Sequence, residues 1–363
     1  MRERFRALDP YLLVPILVLM FMGTLTIFSA SRGTVQSSIW LKQSLWNLIG
    51  FALMLFVSRV RPSRIFNWSA GFYILGLLLL LAVLVPGIGK TIGGSRRWIL
   101  IAGQTFQPSE LMKWLALLFV AHRLGTKPPD YLRAADLLGI TMLVVFPMLL
   151  VLKQPDLGMT LSFLPIFMLI PVIKGLRARW VALGLVAVSI FGVFAWQKVL
   201  KPYQKQRVLT FLNPNADLQG KGYQINQSRI AIGAGGFFGQ GFTAGSQTQL
   251  NFLPVKTTDF VFSVWAEERG FLGVLMALGL FGMVLNRILE IGRAAKTHAE
   301  TYFCIGAACL FGLHIFVNVG MVVGILPNKG IVLPFFSAGG SSTLSYFLGL
   351  GVIMGVHYRT KMK

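Results

Sequence analysis

The chain has 363 residues, of which 55% are apolar and 13% charged, about half the charged fraction usual in a soluble globular domain. Large soluble domains are excluded, because the apolar residues suffice for about ten membrane-spanning helices at ~20 residues each. The 34 Lys and Arg against 12 Asp and Glu give a net charge of +22; these cations are scattered between apolar runs, not gathered on one face of a soluble module, which argues against a nucleic-acid partner.

Taken in chain order, apolar runs bounded by charges and by Gly or Pro predict spans near 11–30, 39–58, 68–86, 108–122, 135–152, 158–173, 180–197, 260–286, 301–326 and 337–357. Arg2, Arg4 and Arg6 followed by the apolar run from Tyr11 to Phe28 imitate a secretory signal. The run is longer than a signal's apolar core of roughly 7–15 residues and more spans follow it, so it reads as an uncleaved first helix. The expected fold is an all-α integral membrane protein of about ten helices, a single polytopic domain over 1–363.

Ten crossings leave both termini on one side. Counting Lys and Arg in alternate segments gives three in each of six on the terminal side, from Arg2, Arg4 and Arg6 to Arg359, Lys361 and Lys363. The four short opposite loops hold six in all, Arg32, Lys90, Arg96, Arg97, Lys153 and Lys329. The positive-inside rule makes both termini cytoplasmic. The one long connection, 198–258 between spans seven and eight, then faces outward. It is basic, with Asp217 its single acid, and its Tyr, Phe and Leu content predicts short amphipathic pieces packed on the outer face.

Ionisable groups at the edges of spans are costly and therefore candidates for function. Glu110 and Lys113 share a helix face at the start of span four, beside the loop holding Arg96, Arg97 and Trp98. They read either as an internal ion pair or as part of an outward cavity where Lys42, Arg97 and Lys113 meet an anion; Lys42 also reads as snorkelling. Lys153-Gln154-Pro155-Asp156 makes a tight outward turn in which Asp156 is either a helix N-cap or a site residue. Asp259 opens span eight, two turns before Glu267-Glu268-Arg269. It reads as a second cap, stabilised by the helix end, or as a general base at the outer edge of the bilayer. The run Gly233 to Gly239 lacks the G-x-G-x-x-G spacing, with Phe238 at the third position, and reads as a close-packing loop. His314 and Asn318 lie one turn apart. Cys304 and Cys309, five apart, read as buried apolar residues that neither pair nor bind metal, and four scattered His residues make no metal cluster.

The strings GGSRRWI (93–99), FQPSELMK (106–113), QPDLG (154–158), LPVKTTDFVFSVWAEERGFLG (253–273), NVGMVVGILP (318–327) and LPFFSAGGSS (333–342) resemble, in order, the signatures of the SEDS family (shape, elongation, division and sporulation) over almost the whole chain. The compact N-terminus is similar to the elongation, RodA-like branch; the division, FtsW-like branch is the alternative. The resemblance implies a glycosyltransferase of the bacterial cytoplasmic (inner) membrane with its active site facing outward. It would polymerise lipid II, the undecaprenyl-linked disaccharide-pentapeptide, into β-1,4 glycan during elongation and rod-shape maintenance. A class B penicillin-binding protein is the implied partner. Asp259 matches the family's proposed catalytic Asp, and Trp98, Glu110 and Lys113 match its outward cavity. With Lys42, Arg97, Lys153, Asp156, His314, Asn318, Lys329 and Ser341 they make up the candidate substrate-binding set. Two departures stand out: Lys329 follows Asn328 where the family commonly has Thr, and Ala338 replaces a frequent Tyr.

On this reading the α-linked donor becomes a β-linked glycan by one inverting displacement. Asp259 takes the acceptor hydroxyl proton, and cations stabilise the departing pyrophosphate. Such a leaving group needs no carboxylic acid. No cofactor is implied with certainty; a divalent cation fits the chemistry, but the sequence shows no dedicated cage. The competing readings are a lipid II flippase, which predicts charges running through the bundle to both faces, and a scaffold for the penicillin-binding protein.

Overall fold

The computed structural model describes residues 8–34, 37–92, 94–126, 134–167, 169, 221–328 and 330–361. Span seven, most of the second half of span six, the stretch 198–220 of the long loop, and Lys329 lie outside the described residues. Before the long loop come helices α1 (Pro10–Ser31), α2 (Ile39–Ser58), α3 (Pro62–Asn67) and α4 (Ser69–Leu84), strands β1 (Gly89–Ile92), β2 (Ser95–Ile101) and β3 (Gln104–Phe106), and helices α5 (Pro108–Gly125), α6 (Ala134–Lys153) and α7 (Leu157–Leu161). After residue 220 come α8 (Lys221–Ala234), α9 (Ser246–Gln249), α10 (Val261–Arg293), α11 (His298–Val322) and α12 (Gly340–Lys361). Eight of the ten apolar runs therefore coincide with helices. Among the described residues five helices, α1, α2, α6, α10 and α11, are long and apolar enough to cross a membrane.

The distribution of apolar side chains is that of a membrane protein. Leu45, Leu48 and Phe56 of α2, Leu75 and Leu78 of α4, and Leu275 and Met283 of α10 all point outward, which a bilayer favours and water does not. The centre is built by α5, α11 and α12. Trp114 of α5 meets the rings of Phe303, Phe311 and Tyr346. The helix α12 is buried along nearly its whole length although it is rich in Ser and Gly. Its glycines let neighbours approach closely: Gly349 lies under Trp114, and Gly351 against Val57 and the Met54 carbonyl of α2. The Ser- and Gly-rich α12 thus sits inside a ring of more apolar helices.

Three features depart from the sequence reading. The connection after α4 folds into a three-stranded antiparallel sheet, order β1-β2-β3, with Lys90 opposite Trp98 and Ile99 opposite Phe106. Cys304 is buried as expected, but Cys309 is exposed on α11. Span eight is not continuous: α10 breaks at Gly270, whose φ of 63° and ψ of −163° are non-helical. Residues 271–293 rise about 34 Å, enough to cross a bilayer alone, while residues 261–268 are buried on every side.

A broken helix leaves carbonyl and amide groups that must find partners away from water. The glycine run supplies them. The amides of Gln240 and Gly241 donate to the carbonyls of Glu267 and Glu268 at 3.0 and 3.1 Å, and the amides of Phe271 and Leu272 donate to the carbonyls of Gly236 and Phe237 at 2.9 and 3.2 Å. Glycine is required because the backbones touch. A Cβ on Gly235 would strike the Ala266 carbonyl, and one on Gly239, at φ +87°, the Glu268 carbonyl.

Candidate active site

The sheet, the break in α10 and the loops before α7 and α12 gather at one end of the bundle, called here the sheet end. Three polar groups lie there, linked by the helices they share. The first joins the sheet to α7 and α12. Arg97 Nη1 lies 2.6 Å from Asp156 Oδ2, which also accepts from Gln107 Nε2 at 3.1 Å. Asp156 Oδ1 accepts from the Met159 amide at 3.1 Å, so Asp156 is both an N-cap and an ion-pair partner. The Gln107 amide donates to Ser341 Oγ at 3.0 Å, and the Ser341 hydroxyl donates to the Thr105 carbonyl at 3.2 Å. The guanidinium of Arg97 lies 5.7 Å from the Trp98 ring centroid.

The second group begins one turn further along α5. Lys113 Nζ lies 2.6 Å from Glu110 Oε2 and 3.2 Å from His314 Nε2, and His314 Nδ1 lies 2.7 Å from the Tyr346 hydroxyl. Lys113 also stands 4.9 Å from the Tyr346 ring centroid. An ammonium only donates, so His314 accepts at Nε2 and carries its proton at Nδ1, which donates to Tyr346. Lys113 and His314 are 0% exposed and Glu110 5%. This is a closed network of one cation and one anion, held by three helices.

The third group surrounds Asp259. This residue is half-buried and precedes the helix, whose cap position is occupied by Phe260. Its backbone is pinned from two sides. Asn318 Nδ2 donates to the carbonyls of Asp259 and Ile331 at 3.2 and 2.8 Å. Ser337 Oγ donates to the Thr258 carbonyl at 2.7 Å and accepts from the Leu333 amide, while the Ala338 amide donates to the Thr257 carbonyl at 3.0 Å. A Cβ on Gly330 would stand 3.7 Å from Asp259 Oδ2, so the carboxylate faces the loop between α11 and α12. His314 and Asn318, one turn apart, join the second group to the third.

The remaining candidates lie apart. Lys42 is exposed on α2; the residue of that helix that reaches the loop before α12 is its neighbour Gln43, which accepts from the Gly339 amide at 2.9 Å and donates to Thr343 Oγ1 at 2.9 Å. Lys153 is exposed at the end of α6. Lys329 lies outside the described residues. The sequence reading missed Gln107, Gln43, Tyr346 and Ser337, polar residues whose roles depend on partners from distant helices. Gln107 and Ser337 do fall inside the quoted strings. Among the described residues no group of three or more His, Cys, Asp or Glu is placed to hold a metal ion.

Glu267 and Glu268 hold the loop that carries Asp259. Glu267 accepts from the amides of Gln247 and Thr248 at 2.7 and 3.1 Å and from the Thr248 hydroxyl at 2.6 Å. Glu268 accepts from Ser29 Oγ and from the Thr243 amide. Lys256 closes the loop on itself, donating to the Thr248 carbonyl at 2.7 Å and Asn251 Oδ1 at 2.8 Å; burial pushes its ammonium below the ordinary lysine value, with nearby Glu267 acting the other way.

The chain is similar to known proteins over nearly its whole length. Peptidoglycan glycosyltransferase MrdB of Escherichia coli K12 is 35% identical over 359 residues, covering 98% of this chain and 95% of that one. Probable peptidoglycan glycosyltransferase FtsW of Trichlorobacter lovleyi is 34% identical over 373 residues, covering 100% and 97%. A chain from a structure described as structural coordination of polymerization and crosslinking by a peptidoglycan synthase complex superposes with a TM-score of 0.85 at 32% identity, covering 98% of this chain and 99% of that one. The crystal structure of Thermus thermophilus rod shape determining protein RodA gives 0.73 at 28% identity, covering 98% of each chain. The Cell cycle protein family of FtsW, RodA and SpoVE matches residues 10–362, and this chain belongs to it.

Proposed function

We propose that the chain is a membrane peptidoglycan glycosyltransferase of the RodA-like branch, polymerising lipid II with Asp259 as general base. One observation carries the assignment of the base: Asp259 is half-buried at the sheet end, its backbone is held by Asn318, and its carboxylate faces the loop between α11 and α12. A base needs a fixed position and access to the acceptor, and this combination supplies both. Glu110 and Asp156 are buried and engaged by cations.

In the proposed reaction Asp259 accepts the proton of the acceptor sugar's 4-hydroxyl as that oxygen attacks the donor's anomeric carbon from the face opposite the pyrophosphate. The bond to the pyrophosphate breaks with inversion, and the leaving group departs as an anion. Arg97 and Lys113 each already hold an acid, so any stabilisation they give the pyrophosphate is shared with Asp156 and Glu110; exposed Lys153 and Lys42 are the cations with room for a ligand. The sheet end faces outward and both termini lie in the cytoplasm, as the Lys and Arg distribution supports. A class B penicillin-binding protein is the proposed partner, supported by the similarity to a chain of a peptidoglycan synthase complex.

The flippase reading is less well supported. Among the described residues the acids Glu110, Asp156, Asp259, Glu267 and Glu268 gather at one end, while Asp9, Glu290 and Glu300 at the other pair with Arg287 and Arg359. The test is polymerisation of purified lipid II by the full chain with its partner. Asp259→Asn is expected to abolish glycan synthesis with the protein folded and partner-bound; polymerisation at the wild-type rate would sink the assignment.

A further inference from the structure

Two arginines at the sheet end take no part in the three polar groups. Arg32 follows the last residue of α1 and is exposed, and Arg269 ends the first half of α10 and is half-buried. The hydrogen bond from Ser29 to Glu268 draws these helix ends together, and the loop residues Phe242 and Thr243 reach both. Arg32 Nη1 donates to Thr243 Oγ1 at 3.3 Å. The Arg269 guanidinium lies 5.4 Å from the Phe242 ring centroid and 5.8 Å from that of Trp265. Phe28 stacks on Phe242 with centroids 6.3 Å apart.

Neither guanidinium forms an ion pair among the described residues. The acid beside them, Glu268, is 2% exposed and its Oε1 is occupied by Ser29 and the Thr243 amide. Arg269 Nε is buried without a hydrogen-bond partner. Glu268 attracts Arg269 but forms no ion pair with it, so the like charges converging on Phe242 and Thr243 are only partly offset. Their planar donor forks suit phosphate oxygens. The partly exposed rings of Phe28 and Phe242 beside them suit the boundary between headgroups and acyl chains.

We propose that Arg32 and Arg269, with Phe242 and Thr243, bind the phosphate headgroup of a lipid in the leaflet at the sheet end. The inference rests on the membrane character of the chain and not on glycosyl transfer. The phosphate would belong either to a bilayer phospholipid or to a polyprenyl diphosphate, and the test separates these sources.

The full chain, purified in detergent, would be examined by native mass spectrometry with phosphatidylglycerol, undecaprenyl diphosphate, inorganic phosphate and phosphate-free diacylglycerol as separate probes. One of the two phosphate lipids is expected to be retained, and its retention to fall about tenfold in Arg32→Gln and in Arg269→Gln. Arg32 is exposed, so its variant keeps the test valid if the Arg269 variant fails to fold. Preference for phosphatidylglycerol assigns the site to bilayer lipid, and preference for undecaprenyl diphosphate assigns it to a prenyl carrier. Retention unchanged in Arg32→Gln, diacylglycerol bound as well as the phosphate lipids, or inorganic phosphate bound with neither lipid would each overturn the proposal. Asp259→Asn is expected to leave lipid retention unchanged, so loss of polymerisation and loss of this site are read separately.

Discussion

The surroundings of Glu110 and of Asp259 are joined by one turn of α11, yet they solve opposite problems. Around Glu110 the polar partners among the described residues are internal: Lys113, His314 and Tyr346 link into one buried network. Around Asp259 the backbone is held through Asn318 and Ser337, and the carboxylate faces the loop between α11 and α12. The first arrangement fixes three helices together, and the second fixes a reactive group in place. An ionisable residue at the edge of a span is therefore ambiguous until its partners are known.

The sharpest test of that contrast is to remove one partner from the closed network. Lys113→Ala leaves Glu110 buried and unpaired, and is expected to cost about 3–5 kcal/mol of stability, read as a large drop in the unfolding temperature in detergent. Removing both charges with Glu110→Gln and Lys113→Met should recover most of that loss. Asp259→Asn should leave the unfolding temperature unchanged while polymerisation is lost. A Lys113→Ala protein with wild-type stability would mean that the network is open and ligand-facing after all.

The loop that carries Asp259 offers a second comparison, because backbone contacts to the broken helix share its anchoring with Glu267 and Glu268. Gly239→Ala forces a methyl group against the Glu268 carbonyl at a positive φ, and about 1–3 kcal/mol is expected to be lost. Gly233→Ala, in the same run with nothing near its Cβ position, should be neutral in the same measurement. Equal effects at the two positions would show that the run does not cap the broken helix.

Much of the fold was legible because bilayer thickness sets helix length and long apolar runs are strong signals. The Arg269-Gly270 break was not, since a glycine in an apolar run is common and its φ depends on the loop pressed against it. The sheet was missed because the connection around Lys90 to Gln104 is too short and mixed to show alternation. Within the site, Asp156, Glu110 and Lys113 stood out by charge, and their spacing gave the Glu110–Lys113 pair. Gln107, Ser337 and Tyr346 carry no charge, and their roles come from contacts across about thirty to more than two hundred residues, which no local pattern encodes. Lys42 was singled out by charge, and helix phase turned it away from the loop that Gln43 meets.

Asn318→Ala probes the link between the two surroundings at an intermediate scale. It deletes the donor that holds the Asp259 and Ile331 carbonyls, about 1–3 kcal/mol if both are left buried without a partner. If Asn318 positions Asp259, polymerisation should fall further than lipid II binding, a change in turnover and not in affinity. Equal losses in both would mean that it contacts substrate.

The smallest effect is expected at the sheet. The Arg97 side chain is 30% exposed and that of Asp156 3%, so the pair is screened on one side only. Arg97→Gln still leaves Asp156 with Gln107 and the Met159 amide, two of its three partners. The loss should therefore be about 1 kcal/mol or less and should shrink as salt is raised. Asp156→Ala removes the cap, the ion pair and the Gln107 contact together, and so should cost more than Arg97→Gln. If the two variants lose the same amount, the ion pair alone holds the sheet to α7, and the contact through Gln107 to Ser341 contributes nothing to the architecture of the sheet end.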